Sequence, residues 1–141
     1  MTKYRHISRS IADTHSLAAW LLGERPGRLV VALHGELGSG KTCFVQGLAL
    51  ALGITKPVTS PTFIIINEYR GTRNLYHIDL YRIRGAVEAL AIGLDEYLAA
   101  DGVTAIEWAE RAAELIPAEA VHVTLTPLAK PDEREIEILL P

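Results

Sequence analysis

Leu29-Val30-Val31-Ala32-Leu33 runs without a polar residue, and after His34 the chain continues Gly35-Glu36-Leu37-Gly38-Ser39-Gly40-Lys41-Thr42. A short apolar run bounded by turn residues suits a strand buried on both faces, as in the centre of a parallel sheet. The eight residues that follow match G-x-x-x-x-G-K-[ST]. Residues 44–52 then read as a helix, with Gly53 at its C-terminal end. Strand, glycine-rich loop and helix in that order make a phosphate-binding loop. Glycines let the backbone approach phosphates without a Cβ clash, and the loop amides and helix N-terminus face the anion. Lys41 supplies a point charge for the β- and γ-phosphates, and the Thr42 hydroxyl suits Mg²⁺. Glu36 reads as a solvated or structural group rather than a catalyst.

Before this unit, Ile11, Leu17, Ala18, Leu21 and Leu22 recur at helical spacing; Asp13 or Thr14 is the expected cap, and Gly23, Pro26 and Gly27 the expected stop. After it, residues 63–69 and 75–81 are β-rich and joined by a polar turn at 71–74, which predicts an antiparallel hairpin. Residues 87–92 and 94–99 read as short helices around Gly93. Residues 103–106 form a further buried strand ending at Glu107, and 109–115 a helix stopped by Pro117. Residues 121–125 and 136–139 alternate and predict a closing strand pair across a polar connector. The order predicts an α/β fold: a single P-loop NTPase-like domain over 1–141, with a mixed sheet flanked by helices.

The 141 residues suit one domain, and 49% apolar with 22% charged residues is an ordinary globular balance. Fourteen basic against seventeen acidic residues leave a net charge of -3, which argues against a chain that grips nucleic acid alone. The single cysteine, Cys43, excludes an internal disulfide, suits the reducing cytoplasm, and reads as a packed thiol. The longest apolar runs, 29–33 and 48–52, are far too short to cross a bilayer, so no membrane is expected.

A phosphate loop needs an acid from another strand to complete a metal site. Glu107 ends the 103–106 run, with Glu in place of the usual Asp, and Asp79 lies in the second hairpin strand. Mg²⁺ takes one or two carboxylates besides phosphate and water. One acid therefore binds it directly and the other through water, or the second orients the attacking water. His77, near Asp79, reads as a strand histidine making one hydrogen bond. Tyr69, Tyr76 and Tyr81 suit either cross-strand packing or a partner surface. Arg70, Arg73, Arg82 and Arg84 are either a solvated turn or a docking site for an acidic partner or for tRNA held by that partner.

Four blocks carry a more specific likeness: the loop from Gly35 to Thr42, Ser60-Pro61-Thr62-Phe63, His77-Ile78-Asp79-Leu80-Tyr81-Arg82, and Glu107-Trp108-Ala109-Glu110. In these the chain resembles the TsaE (formerly YjeE) family of small bacterial P-loop ATPases. The resemblance implies a part in forming N6-threonylcarbamoyladenosine at position 37 of tRNAs that read ANN codons. It implies an ATPase that binds a TsaD–TsaB heterodimer and supports repeated turnover, with TsaD carrying the transfer chemistry and tRNA reached only through the complex. It assigns the ATP phosphates to Gly35, Leu37, Gly38, Ser39, Gly40, Lys41 and Thr42, and Mg²⁺ to Thr42 and Glu107. Asp79 matches the family's essential acid, so Lys41, Asp79 and Glu107 are the expected catalytic set. Thr62 is placed in a switch-like loop, Trp108 near the nucleotide, and Thr14 and Arg134 near the base. The family's Asp-Leu-Gly-Ala-Gly stands here as Glu36-Leu37-Gly38-Ser39-Gly40, which keeps size and backbone permissiveness.

Two other classes share the loop. A small-molecule kinase would need an acceptor pocket and a mobile Arg-bearing lid, and no long insertion follows the second helix to serve as one. A nucleotide-dependent switch would change partner affinity without releasing phosphate.

Overall fold

The computed structural model describes residues 1–59 and 65–141. Ser60, Pro61, Thr62 and Phe63 fall outside the described residues. Along the chain the elements are β1 (Thr2–Ser8), α1 (Ile11–Glu24), β2 (Leu29–His34), α2 (Lys41–Ala51), β3 (Ile66–Tyr69), β4 (Leu75–Asp79), α3 (Ala86–Ala91), α4 (Leu94–Ala99), β5 (Val103–Glu107), a 3₁₀ segment (Ala109–Leu115), β6 (Val121–Pro127) and β7 (Arg134–Leu140). These strands form one sheet in the order β1-β7-β6-β2-β5-β4-β3. β2 pairs in parallel with both β5 and β6, and β4 in parallel with β5. The β3–β4, β6–β7 and β1–β7 pairs are antiparallel. The mixed sheet is as expected, with the apolar 29–33 run at its centre.

Side-chain alternation along the strands decides which residues reach which layer. Leu29, Val31 and Leu33 of β2 join Leu75, Val103, Ala105 and Val123 in a core closed by Leu17 and Leu21 of α1 and Phe44 and Leu48 of α2. Val30, Ala32, Ile78 and Ile106 face the other way, against Leu80, Ile83, Ala89 and Leu94. Helices α1 and α2 meet closely at Gly47, where an added Cβ would stand 2.8 Å from the His15 Cα. The same alternation sends His77, Asp79 and Glu107 to the α1/α2 side, where α2 begins.

The structure differs from the sequence expectations at several points. Strand β1 carries no sequence signal, because most of its residues are polar or charged and only Ser8 is buried. It is held as an edge strand by the ladder to β7 and by cross-strand charges, with Lys3 at 3.8 Å and Arg5 at 3.3 Å from Glu137. Charged side chains are common on such edges. Helix α1 is capped by Ser10, not by Asp13 or Thr14. The Ser10 side chain accepts the Asp13 N–H at 3.0 Å, and the Asp13 carboxylate accepts the Arg9 N–H at 2.9 Å. At the other end α1 runs through Gly23 to Glu24. Its end is tied by Arg73 from the hairpin turn, whose guanidinium donates to the carbonyls of Leu22, Arg25 and Gly27. Arg73 is therefore a helix-end clamp that satisfies orphan carbonyls, neither a solvated turn residue nor a docking residue. Helix α2 begins at Lys41 rather than residue 44, and the 109–115 segment is 3₁₀, kinked at Ala112.

Ser10→Ala removes the cap and should lower stability by about 1 kcal/mol. Asp13→Ala leaves the bond from the Asp13 N–H to Ser10 in place and should cost less. Urea denaturation of the two variants measures the difference.

Candidate functional site

The loop between β2 and α2 turns on positive φ at Gly38 (79°) and Gly40 (103°), a region that favours glycine. A Cβ on Gly35 would collide with the Ser39 side chain and the Leu125 carbonyl, and one on Gly40 with the Arg134 guanidinium. Arg134 reaches from β7 to donate to the Ser39 carbonyl at 3.1 Å. Gly40 is the N-cap of α2 and supplies no side-chain cap, and the first turn holds no acid. Such a helix start offers its orphan amides and its dipole to an anion from outside.

Strand register brings the acids to the same end. Asp79 of β4 stands opposite Glu107 of β5, and Glu107 opposite Leu33 of β2. Both carboxylates thus close parallel strands, β5 beside the strand that feeds the loop and β4 one further out, at the carboxyl edge where open α/β sheets bind ligands. A cleft of about 490 Å³ opens there. Leu37, Gly38 and Gly40 line it from the loop, and Lys41, Thr42 and Cys43 from the first turn of α2. Asp79, Tyr81 and Arg82, at and after the end of β4, and Glu107 and Trp108, at and after the end of β5, complete its lining.

Lys41 is 5% exposed, and its Nζ donates to the Gly35 carbonyl at 2.6 Å. Burial lowers its pKa, and the carboxylates of Glu107, Glu110 and Asp79 pull it back up. Thr42 Oγ1 donates to Glu107 Oε2 at 3.3 Å. Hard oxygen donors suit Mg²⁺, and neighbouring oxygens on its octahedron, with metal–oxygen bonds of about 2.1 Å, are separated by about 3.0 Å. Thr42 and Glu107 therefore fit such an ion. Burial raises the pKa of Asp79; the Tyr81 N–H, which it accepts at 2.9 Å, opposes this, and the nearby Glu107 charge adds to it.

Trp108 follows Glu107 in the left-handed region, with φ 59°, and is the only non-glycine residue with positive φ among the described residues. That conformation costs roughly 1–2 kcal/mol for an L-residue. It lays the indole 3.9 Å from Lys41 Nζ and 5.0 Å from the Tyr81 ring. The cation over the ring and the ring pair are contacts of the kind that offset such strain.

Of the residues singled out from sequence, the cleft gathers Leu37, Gly38, Gly40, Lys41, Thr42, Asp79, Glu107 and Trp108. Gly35 and the buried Ser39 lie behind them as loop framework, and Arg134 braces the loop from β7. Thr14 is not brought to the cleft. It is 1% exposed, and its hydroxyl meets that of Ser8 at 2.7 Å, tying α1 to β1. Thr62 lies outside the described residues. Cys43 is half-buried at the cleft, and burial pushes its thiol pKa up against the pull of Arg134.

Sequence reasoning gave His77 one hydrogen bond and no partner. The structure supplies the partner: His77 Nε2 lies 2.6 Å from Glu107 Oε2. The signal that could have found it was a histidine at a core position two residues before a strand-end acid. His34, just before the loop, was also passed over. Its Nε2 lies 2.9 Å from His122 Nδ1 on β6, and burial lowers its pKa.

The family model described as "Threonylcarbamoyl adenosine biosynthesis protein TsaE" matches residues 8–136. A Treponema pallidum protein named "tRNA threonylcarbamoyladenosine biosynthesis protein TsaE" is 45% identical over 139 residues, covering 95% of this chain and 98% of its own. A Bacillus subtilis protein of the same name is 48% identical over 113 residues, covering 79% of this chain and 69% of its own. The crystal structure of YdiB from B. subtilis superposes with a TM-score of 0.83 at 34% identity, covering 99% of this chain and 86% of that one. With the family model spanning most of its length and the T. pallidum relative matching it almost from end to end, the chain belongs to the TsaE family.

Proposed function

We propose that the chain is a Mg²⁺-dependent cytoplasmic ATPase that binds a TsaB–TsaD heterodimer. It supports repeated turnover in forming N6-threonylcarbamoyladenosine at position 37 of ANN-decoding tRNAs. The observation that carries the ATPase reading is the convergence of Lys41, Thr42, Glu107 and Asp79 on one cleft at the carboxyl ends of adjacent parallel strands. The pathway rests on the family and on the names of the relatives. The net charge of -3 favours reaching tRNA through partners rather than directly.

The loop amides from Leu37 to Thr42 cradle the phosphates. Lys41 exchanges its bond to the Gly35 carbonyl and its place against Trp108 for phosphate oxygens. Thr42 and Glu107 hold the metal ion, which when bound neutralises charge on the transferring phosphoryl group. Asp79, beside Glu107 in the strand register, orients water at the edge of the metal site. A partner completes the site, so the isolated chain is slow and the complex faster.

The reading is tested by steady-state phosphate release from MgATP, by the chain alone and with added TsaB–TsaD. A rise with the partners is expected, and Lys41→Ala should abolish it. No rise with a competent partner pair overturns the proposal. Phosphate appearing only on an added acceptor would make the chain a kinase, and nucleotide-dependent partner binding without phosphate release would make it a switch.

Asp79 adds a pH signature. Its carboxyl is raised by burial in the folded protein, so the folded state binds its proton more tightly than the unfolded state does. Ionised Asp79 therefore costs stability at neutral pH, and the cost disappears on acidification through the raised value toward the ordinary aspartate range. Asp79→Asn keeps an oxygen for the Tyr81 N–H. In the absence of nucleotide it should melt above the wild type at neutral pH, with the gap closing as the pH falls. A pH series of thermal melts measures this.

A further inference from the structure

His77 is 0% exposed, in a row of β4 that otherwise serves either the core or the cleft. Leu75, two residues before it, packs in the α1/α2 core, and Asp79, two residues after it, lines the cleft. Its register partner on β5 is Ala105, also in that core. An aliphatic side chain at this position would extend the core with no polar atom to satisfy. The imidazole instead has one polar partner among the described residues, Glu107 Oε2 at 2.6 Å. A carboxylate oxygen only accepts, so Nε2 carries the hydrogen. Nδ1 has no partner, and with the hydrogen on Nε2 that side of the ring leaves a lone pair rather than an N–H unmatched. Thr42 Oγ1 donates to the same Oε2 at 3.3 Å, and neither bond falls on Oε1.

We propose that His77 is a positioning residue for the cation. From beneath the cleft its Nε2–H fixes the Glu107 carboxylate, so that Thr42 and Glu107 meet Mg²⁺ as an arranged oxygen pair. This rests on the reading of Thr42 and Glu107 as the Mg²⁺ ligands. Partners of this kind, which hold a ligand rather than the ion, typically contribute a factor of about 10–100 in metal affinity. His77 itself touches neither the ion nor the nucleotide in this account.

The test titrates Mg²⁺ into the chain with ATP by calorimetry and measures ATP affinity separately in EDTA. His77→Leu keeps roughly the side-chain volume and removes the donor. His77→Met replaces it if a branched side chain prevents folding, since methionine adapts to irregular gaps. His77→Gln keeps an N–H donor. The donor-free variant should need about tenfold more Mg²⁺ for half-saturation, with ATP affinity in EDTA unchanged, and His77→Gln should recover most of that shift. An unchanged Mg²⁺ midpoint in the donor-free variant overturns the proposal. So does an equal loss with and without Mg²⁺, or a glutamine variant as weak as the donor-free one, because each assigns His77 to packing alone. If wild-type ATP binding is itself indifferent to Mg²⁺, the metal reading falls and this inference with it; a Mg²⁺-dependent wild type beside an unaffected variant sinks this inference only.

Discussion

A carboxylate at the end of a buried strand constrains everything around it. Glu107 closes β5, whose residues are all buried, and is itself 4% exposed. A carboxylate taken out of water costs several kcal/mol unless hydrogen bonds and countercharge compensate it. The chain supplies these from two separate elements. His77 comes from β4, and Thr42 and the Lys41 charge come from the first turn of α2. Each can be there only because β4, β5 and β2 are parallel neighbours in register. The sheet order is thus what lets a charged residue occupy that position.

The loop depends on ties from outside its own stretch. Arg134 holds the Ser39 carbonyl from β7, and its guanidinium fills the space that a side chain on Gly40 would need. β7 is in turn clamped between β6 and the polar strand β1. The antiparallel β1–β7–β6 edge therefore connects to the phosphate loop through one arginine. Arg73 makes the corresponding tie on the other side, from the hairpin turn to the end of α1. The two arginines satisfy carbonyls that the local backbone leaves open, a use of Arg that follows from its rigid fork of donors.

What the sequence makes legible follows from how local each cause is. Strand β2, the loop and α2 can be read because the apolar run, the glycines and the Lys-Thr pair are contiguous. Glu107 can be read because a short, mostly apolar run with strand character precedes it. Strand β1 is hidden because its pairing with β7 spans nearly the whole chain and rests on charges that, taken alone, look like solvated surface. The His77–Glu107 bond joins residues thirty apart, and nothing in either segment names the other. Thr14 shows that a nearby partner can be just as hard to read. Its hydroxyl is satisfied by Ser8 across a turn, so a residue that resembled a cap or a base contact is a tie between two elements.

The charges around Lys41 explain how the site can be stable yet poised for a ligand. Three carboxylates, Glu107, Glu110 and Asp79, bear on one buried lysine. Burial weakens the charged form of both Lys41 and Asp79, and Glu107 supports the first while opposing the second. The local balance is therefore short of positive charge on the acid side, which a divalent cation at Thr42 and Glu107 would correct. At the loop the balance is the reverse, with glycine amides and a helix start turned toward one lysine and no acid in the first turn. A metal-bound polyphosphate answers both imbalances at once, the cation beside the acids and the phosphates on the amides. Neither half alone does so: phosphate without a cation would meet Asp79 and Glu107 as like charges across the same cleft. Under the proposed function, such a geometry would favour the metal complex over the free nucleotide by repulsion as much as by attraction.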